Sequence, residues 1–223
     1  MTRVKICGLM NHYDVTQCVN NGADMVGFVV DYPIDVPWNL TVEVAKELIK
    51  QVPAFVETCV VTGGSVEKVL ALADVLHPSV IQLHHQETLT DVKEIAHQLQ
   101  RRGVKTIKAL RINESGLCDF EITDPILAAL ALCQCNLSAL LVDTYSETQP
   151  GGTGITVDLS SFLKIQKASV IPVILAGGLK ANNVVEIITK TKPYAVDVLT
   201  GVEECPGTKD PVKLKKFIEH VRW

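Results

Sequence analysis

Ile171-Pro-Val-Ile-Leu-Ala-Gly-Gly-Leu179 and, shortly after it, Ala195-Val-Asp-Val-Leu-Thr-Gly-Val202 are apolar runs that each stop at glycine. Buried parallel strands read this way when they hand their backbone to a tight turn or a ligand. The segment Lys180 to Lys192 between them has helical character. Two adjacent strand ends with little side chain present backbone N–H groups to an anion, and in a (β/α)8 barrel the loops after strands 7 and 8 bind phosphate. The expectation is a barrel acting on a phosphorylated small molecule. The plainer alternative is that Gly177, Gly178 and Gly201 only close tight strand-to-helix turns.

Working outward, the remaining chain alternates in the same manner. Val4 to Cys7 reads as the first strand and Met25 to Val30 as the second; Phe55 to Val61 reads as the third, Val80 to His84 as the fourth, Thr106 to Ile112 as the fifth and Ala139 to Asp143 as the sixth. Helical spacing of apolar residues follows each, with Thr41 and Ser65 as caps and Pro125 and Pro211 at helix starts. Eight alternations with no antiparallel hairpin signal predict an α/β fold, a closed (β/α)8 TIM barrel forming a single domain over residues 1–223.

Composition narrows the function classes. A chain of 223 residues that is 47% hydrophobic can bury one large core. A net charge of −4 offers no footprint for nucleic acid or an anionic membrane surface. The N-terminus enters a strand without a long apolar run, so the expected compartment is the cytoplasm. Seven cysteines without a Cys-x-x-Cys suggest neither a disulfide framework nor a zinc site, and most read as small core residues. Gly151-Gly-Thr-Gly154 lacks the spacing of a dinucleotide fingerprint, so no nicotinamide cofactor is implied, and His12, His77, His97 and His220 have no ligand partner at metal spacing, so no metal is expected. Nothing in the pattern separates a monomer from a homodimer.

In a barrel the chemistry sits at the carboxyl ends of the strands. Cys7, His84, Arg111 and Asp143 fall there. A thiolate and a carboxylic acid across a barrel mouth can act as general base and general acid if their proton affinities are tuned in opposite senses. Asp143 is the clearest of these candidates, because a carboxylate directly after Leu140-Leu-Val142 has little reason to be there for packing. Taken alone, Cys7 also reads as an inert buried thiol, and His84 as a satisfied polar residue at a strand end.

Val4-Lys-Ile-Cys-Gly-Leu9, Gln82-Leu-His84, Leu141-Val-Asp-Thr144 with Gly151-Gly-Thr-Gly154, Leu175-Ala-Gly-Gly-Leu179 with Asn183-Val184, and Asp197-Val-Leu-Thr-Gly-Val-Glu203 with Pro206-Gly207 and Lys209-Asp210 occur in this order along the whole chain. Together they resemble phosphoribosylanthranilate isomerases of tryptophan biosynthesis. The resemblance implies a cofactor-free Amadori rearrangement of N-(5-phosphoribosyl)anthranilate, with Cys7 as general base and Asp143 as general acid. It places the phosphate near Gly154, Gly177, Gly178, Thr200 and Gly201. The chain departs from the family after the second strand, where the family's Ser-Pro-Arg carries an arginine for the anthranilate carboxylate. Here Asp31-Tyr-Pro-Ile-Asp-Val-Pro-Trp-Asn-Leu40 keeps Pro37 and puts Trp38 in the arginine's place. Losing that arginine forfeits roughly 1.5–3 kcal/mol per charge-assisted hydrogen bond unless another cation serves. Trp38 either stacks on the anthranilate ring or packs under its loop, and Lys5 or Arg111 is the candidate for the missing charge. A second departure, Leu199-Thr200 for the family's Ser-Ser, retains one hydroxyl. Two alternatives stay open: a paralogue acting on another aminosugar phosphate, and a non-catalytic phosphosugar-binding barrel.

Overall fold

A computed structural model describes residues 1–144 and 159–222. In chain order the elements are β1 (Arg3–Ile6), α1 (His12–Asn20), β2 (Met25–Val30), β3 (Asn39–Leu40), α2 (Val42–Ile49), β4 (Glu57–Thr62), α3 (Val66–Leu76), β5 (Val80–Leu83) and α4 (Leu89–Arg101). They continue with β6 (Lys105–Ile112), α5 (Pro125–Leu132), β7 (Ala139–Thr144), α6 (Leu159–Ala168), β8 (Val173–Leu175), α7 (Val184–Thr191), β9 (Ala195–Val198), β10 (Glu203–Cys205), β11 (Thr208–Lys209) and α8 (Pro211–Arg222).

The sheet runs β1-β9-β8-β7-β6-β5-β4-β2 and closes where β1 pairs with β2, so eight parallel strands form a barrel. Closure rests on the register Lys5↔Met25 on one side of β1 and Lys5↔Asp197 on the other. Strand alternation divides the apolar residues into two layers, as a period of two requires. Ile6, Phe28, Val30, Ile81, Leu83 and Leu110 pack outward under the helices, while Cys7, Val29, Cys59, Val61, Ile107, Ala109 and Leu141 fill the barrel interior. Among the described residues, no helix is long and apolar enough to cross a membrane.

The helix starts follow the capping chemistry read from the sequence. The Thr41, Ser65 and Thr88 side chains accept from backbone N–H groups of the first turn, and Asp124 does so just before Pro125. Three expectations need correction. Phe55 does not open the third barrel strand: it is exposed at φ 73°, outside the extended region, and β4 begins at Glu57. Val44, one of the apolar residues at helical spacing after the second strand and expected on one face with Ala45, Leu48 and Ile49, is exposed. An antiparallel hairpin is present as well, with Glu203↔Lys209 in register across a turn at Pro206-Gly207, where Gly207 has φ 87°. Its strands are too short for an alternation signal, and only the Pro-Gly pair marked them.

One buried ion pair ties a barrel loop to the outer layer. Lys108 Nζ on β6 donates to Glu87 Oε2 and to the His85 carbonyl, both at 2.6 Å, with side-chain exposures of 1% for Lys108 and 0% for Glu87. Glu87→Ala strands the ammonium and is expected to cost about 3–5 kcal/mol in denaturant unfolding, whereas the double replacement Lys108→Met with Glu87→Leu costs much less.

Candidate active site

Cys7 directly follows β1. Its N–H donates to the Val198 carbonyl at 2.9 Å, which extends the ladder by one residue and aims the side chain into the barrel mouth. The thiol is 5% exposed. Lys5 shares its face one residue pair below, and there Lys5 Nζ meets Asp197 Oδ2 at 2.8 Å. Burial opposes the Lys5 charge, but Asp197, with Cys7 and Cys59, holds the ammonium above its ordinary proton affinity. Burial pushes the Cys7 thiol up, and the Lys5 ammonium pulls it back part of the way.

Asp143 lies near the end of β7, where it pairs in register with Arg111 on β6. Adjacent strands in register turn both side chains to the barrel mouth. His84 stands beside them, with Nε2 3.6 Å from Asp143 Oδ2 and Nδ1 3.0 Å from Gln82 Nε2. Its backbone is fixed by the Tyr32 hydroxyl, which donates to the His84 carbonyl at 2.7 Å. Burial, reinforced by Arg111 and Lys108, lowers the His84 pKa to about 3, so its imidazole is neutral at neutral pH. Arg111 Nη1 meets Asp119 Oδ2 at 2.9 Å.

The glycine turns line the same pocket, so that Cys7, Asp143, His84 and Arg111 share it with Gly177, Gly178, Thr200 and Gly201. Gly177 and Gly178 have φ 88° and 62°, the left-handed region that glycine enters without strain. Gly201 is there for space: a Cβ on it would lie 1.8 Å from the Leu179 carbonyl oxygen. These glycines are therefore required by their turns, and the turns line the pocket.

Trp38 is buried and lines the pocket as well. Its Nε1 donates to Glu203 Oε1 at 2.9 Å, and Lys209 Nζ reaches the same oxygen at 2.9 Å. Packing and pocket contact thus coexist in one side chain. Lys5 is the candidate that the structure does not bring into the pocket lining: it lies beneath Cys7, 3% exposed and held by Asp197. Gly154 falls outside the described residues. Asp197 was missed as a site residue. It lines the pocket, and among the described residues its buried Oδ1 has no hydrogen-bond partner. The signal was present, since a carboxylate inside Ala195-Val-Asp-Val198 is as unexpected for packing as Asp143 after its leucines.

Residues 4–220 match the family described as N-(5'-phosphoribosyl)anthranilate (PRA) isomerase. An N-(5'-phosphoribosyl)anthranilate isomerase of Methanocella arvoryzae is 37% identical, with 100% of this chain and 99% of that protein covered. The crystal structure of phosphoribosyl anthranilate isomerase from Thermotoga maritima superposes with a TM-score of 0.84 at 33% identity, covering 100% of this chain and 99% of that one. A further structure of phosphoribosyl anthranilate isomerase, in complex with reduced 1-(o-carboxyphenylamino)-1-deoxyribulose 5-phosphate, aligns with a TM-score of 0.80 at 32% identity over 100% of this chain and 99% of that one.

The lowered His84 pKa has a consequence for stability. Below about pH 6.5 the unfolded chain protonates this histidine while the folded chain does not, so folding stability falls as the pH drops towards His84's folded value. In urea titrations at pH 7 and pH 4.5, the wild-type midpoint is expected to drop further than that of His84→Gln.

Proposed function

Because the chain belongs to the N-(5'-phosphoribosyl)anthranilate isomerase family, we propose that Cys7 and Asp143 divide between them the proton transfers of that family's reaction. The protein is an isomerase of tryptophan biosynthesis. It rearranges N-(5'-phosphoribosyl)anthranilate, an aminoaldose phosphate, to 1-(2-carboxyphenylamino)-1-deoxyribulose 5-phosphate, the corresponding ketose.

The observation that carries the assignment is that a thiol just after β1 and a carboxyl from β7 line one pocket, which the glycine turns after the intervening strands β8 and β9 also line. Asp143, as the carboxylic acid, gives its proton to the ribose ring oxygen as the bond from C1 to that oxygen breaks. The anthranilate nitrogen pushes its lone pair toward C1 and an iminium forms. Cys7, as thiolate, takes the proton from C2, and the electron pair of that bond neutralises the iminium to give an enolamine. Tautomerisation to the C2 ketone completes the rearrangement. The Lys5 ammonium under Cys7 favours the thiolate that this step requires, against the burial that opposes it. His84, neutral and 3.6 Å from Asp143, adds no positive charge beside the carboxyl.

The phosphate rests at Gly177, Gly178, Thr200 and Gly201, and its binding energy holds C1 and C2 between acid and base. Trp38 forms part of the apolar wall that receives the aromatic ring.

The roles separate in steady-state kinetics, with loss of substrate fluorescence as the readout. Cys7→Ala and Asp143→Asn are each expected to lower kcat by on the order of 100-fold or more while KM changes little. An unchanged kcat in either variant removes that residue from the chemistry.

A further inference from the structure

The substrate has two anionic ends, the 5'-phosphate and the carboxylate of the aromatic ring. A partly enclosed pocket must answer both with donors or opposite charge. The glycine turns at β8 and β9 answer the first. Of the groups near the second, Trp38 carries no charge and its N–H is given to Glu203 at 2.9 Å. Lys5 is outside the pocket lining and bound to Asp197. His84 is neutral. Among the described residues, Arg111 is the only lysine or arginine that lines the pocket.

We propose that Arg111 is the specificity residue that receives the ring carboxylate of the substrate, taking over the charge that Trp38 does not supply. This rests on the reading of the pocket as the isomerase site. Strand order places the two anionic ends correctly. Arg111 is on β6, Asp143 on β7, and the glycine turns follow β8 and β9. Neighbouring strands lie ~4.8 Å apart, so Arg111 and β8 are separated by roughly 10 Å with the proposed acid between them. A ligand with phosphate at one end and carboxylate at the other therefore spans Asp143.

The guanidinium is also held ready. Asp119 Oδ2 takes Arg111 Nη1 at 2.9 Å, Gln86 Nε2 donates to Asp119 Oδ1 at 3.0 Å, and the Asp119 N–H donates to the Arg111 carbonyl at 2.8 Å. Arg111 and Asp119 are each 19% exposed, enough for a ligand to reach and too little for water to screen fully. A guanidinium has five N–H donors in a rigid plane, so it can keep an anchoring carboxylate and accept a second one. Asp119 is then a positioning residue: it orients the fork before substrate arrives.

The test compares two substrates, N-(5-phosphoribosyl)anthranilate and N-(5-phosphoribosyl)aniline, which lacks only the carboxylate. The ratio of their kcat/KM values does not depend on how much of a variant is folded. In Arg111→Gln this ratio is expected to fall about 10- to 100-fold relative to wild type, as the loss of a charge-assisted pair implies. Arg111→Lys, which keeps the charge and loses the fork, should fall between. A ratio unchanged in Arg111→Gln overturns the inference, as does a parallel loss on both substrates. Wild type that turns over neither substrate overturns the reading of the pocket and this inference with it.

Discussion

The buried pair of Lys5 and Asp197 lies across the junction of the first and last barrel strands. The two residues are register partners on β1 and β9, their side chains are 3% and 9% exposed, and Nζ meets Oδ2 at 2.8 Å. Neither charge tolerates the apolar interior alone, so a slip of β1 by one residue leaves both stranded and turns Cys7 out of the pocket. Junction and thiol are specified by one contact. The same ammonium that satisfies Asp197 moderates the proton affinity of the thiol above it, which links closure of the fold to its chemistry.

A second buried carboxylate does similar work at the rim. Glu203 Oε1 accepts from Trp38 Nε1, Lys209 Nζ and the Gly207 N–H, and Lys209 Nζ also reaches the Leu199 carbonyl at 3.3 Å. The loop after β2 is thereby joined to the turn Thr200–Val202 that follows β9. The apolar wall and the proposed phosphate end are held by one network, in which each partner satisfies a group otherwise buried without one. The short hairpin of β10 and β11 exists to present these groups, since Glu203 and Lys209 face each other across it.

Much of the barrel was legible because parallel strands buried on both faces leave continuous apolar runs, and glycine, proline and capping residues mark where each stops. The starts of α2, α3 and α5 follow directly from Thr41, Ser65 and Pro125. Phe55 was misread because an aromatic beside Val56 imitates a strand start, while its backbone follows the turn that precedes β4. Lys5 was misread for another reason. Alternation places it on the inner face, but no local pattern tells that Asp197, 192 residues away, neutralises it below the pocket.

The sequence by itself determined the alternation of elements, the residues at the strand ends and, through an ordered set of motifs along the whole chain, the family and its reaction. Those properties are local, or sums of local signals, and a linear reading recovers them. Tertiary structure alone decided how each charge is paired and which of them lines the pocket. Lys5 is paired with Asp197 below the pocket, the Trp38 N–H with Glu203 and Lys108 with Glu87, whereas Arg111, itself paired with Asp119, lines the pocket wall. Availability of a charge depends on partners that only barrel closure brings within hydrogen-bonding distance.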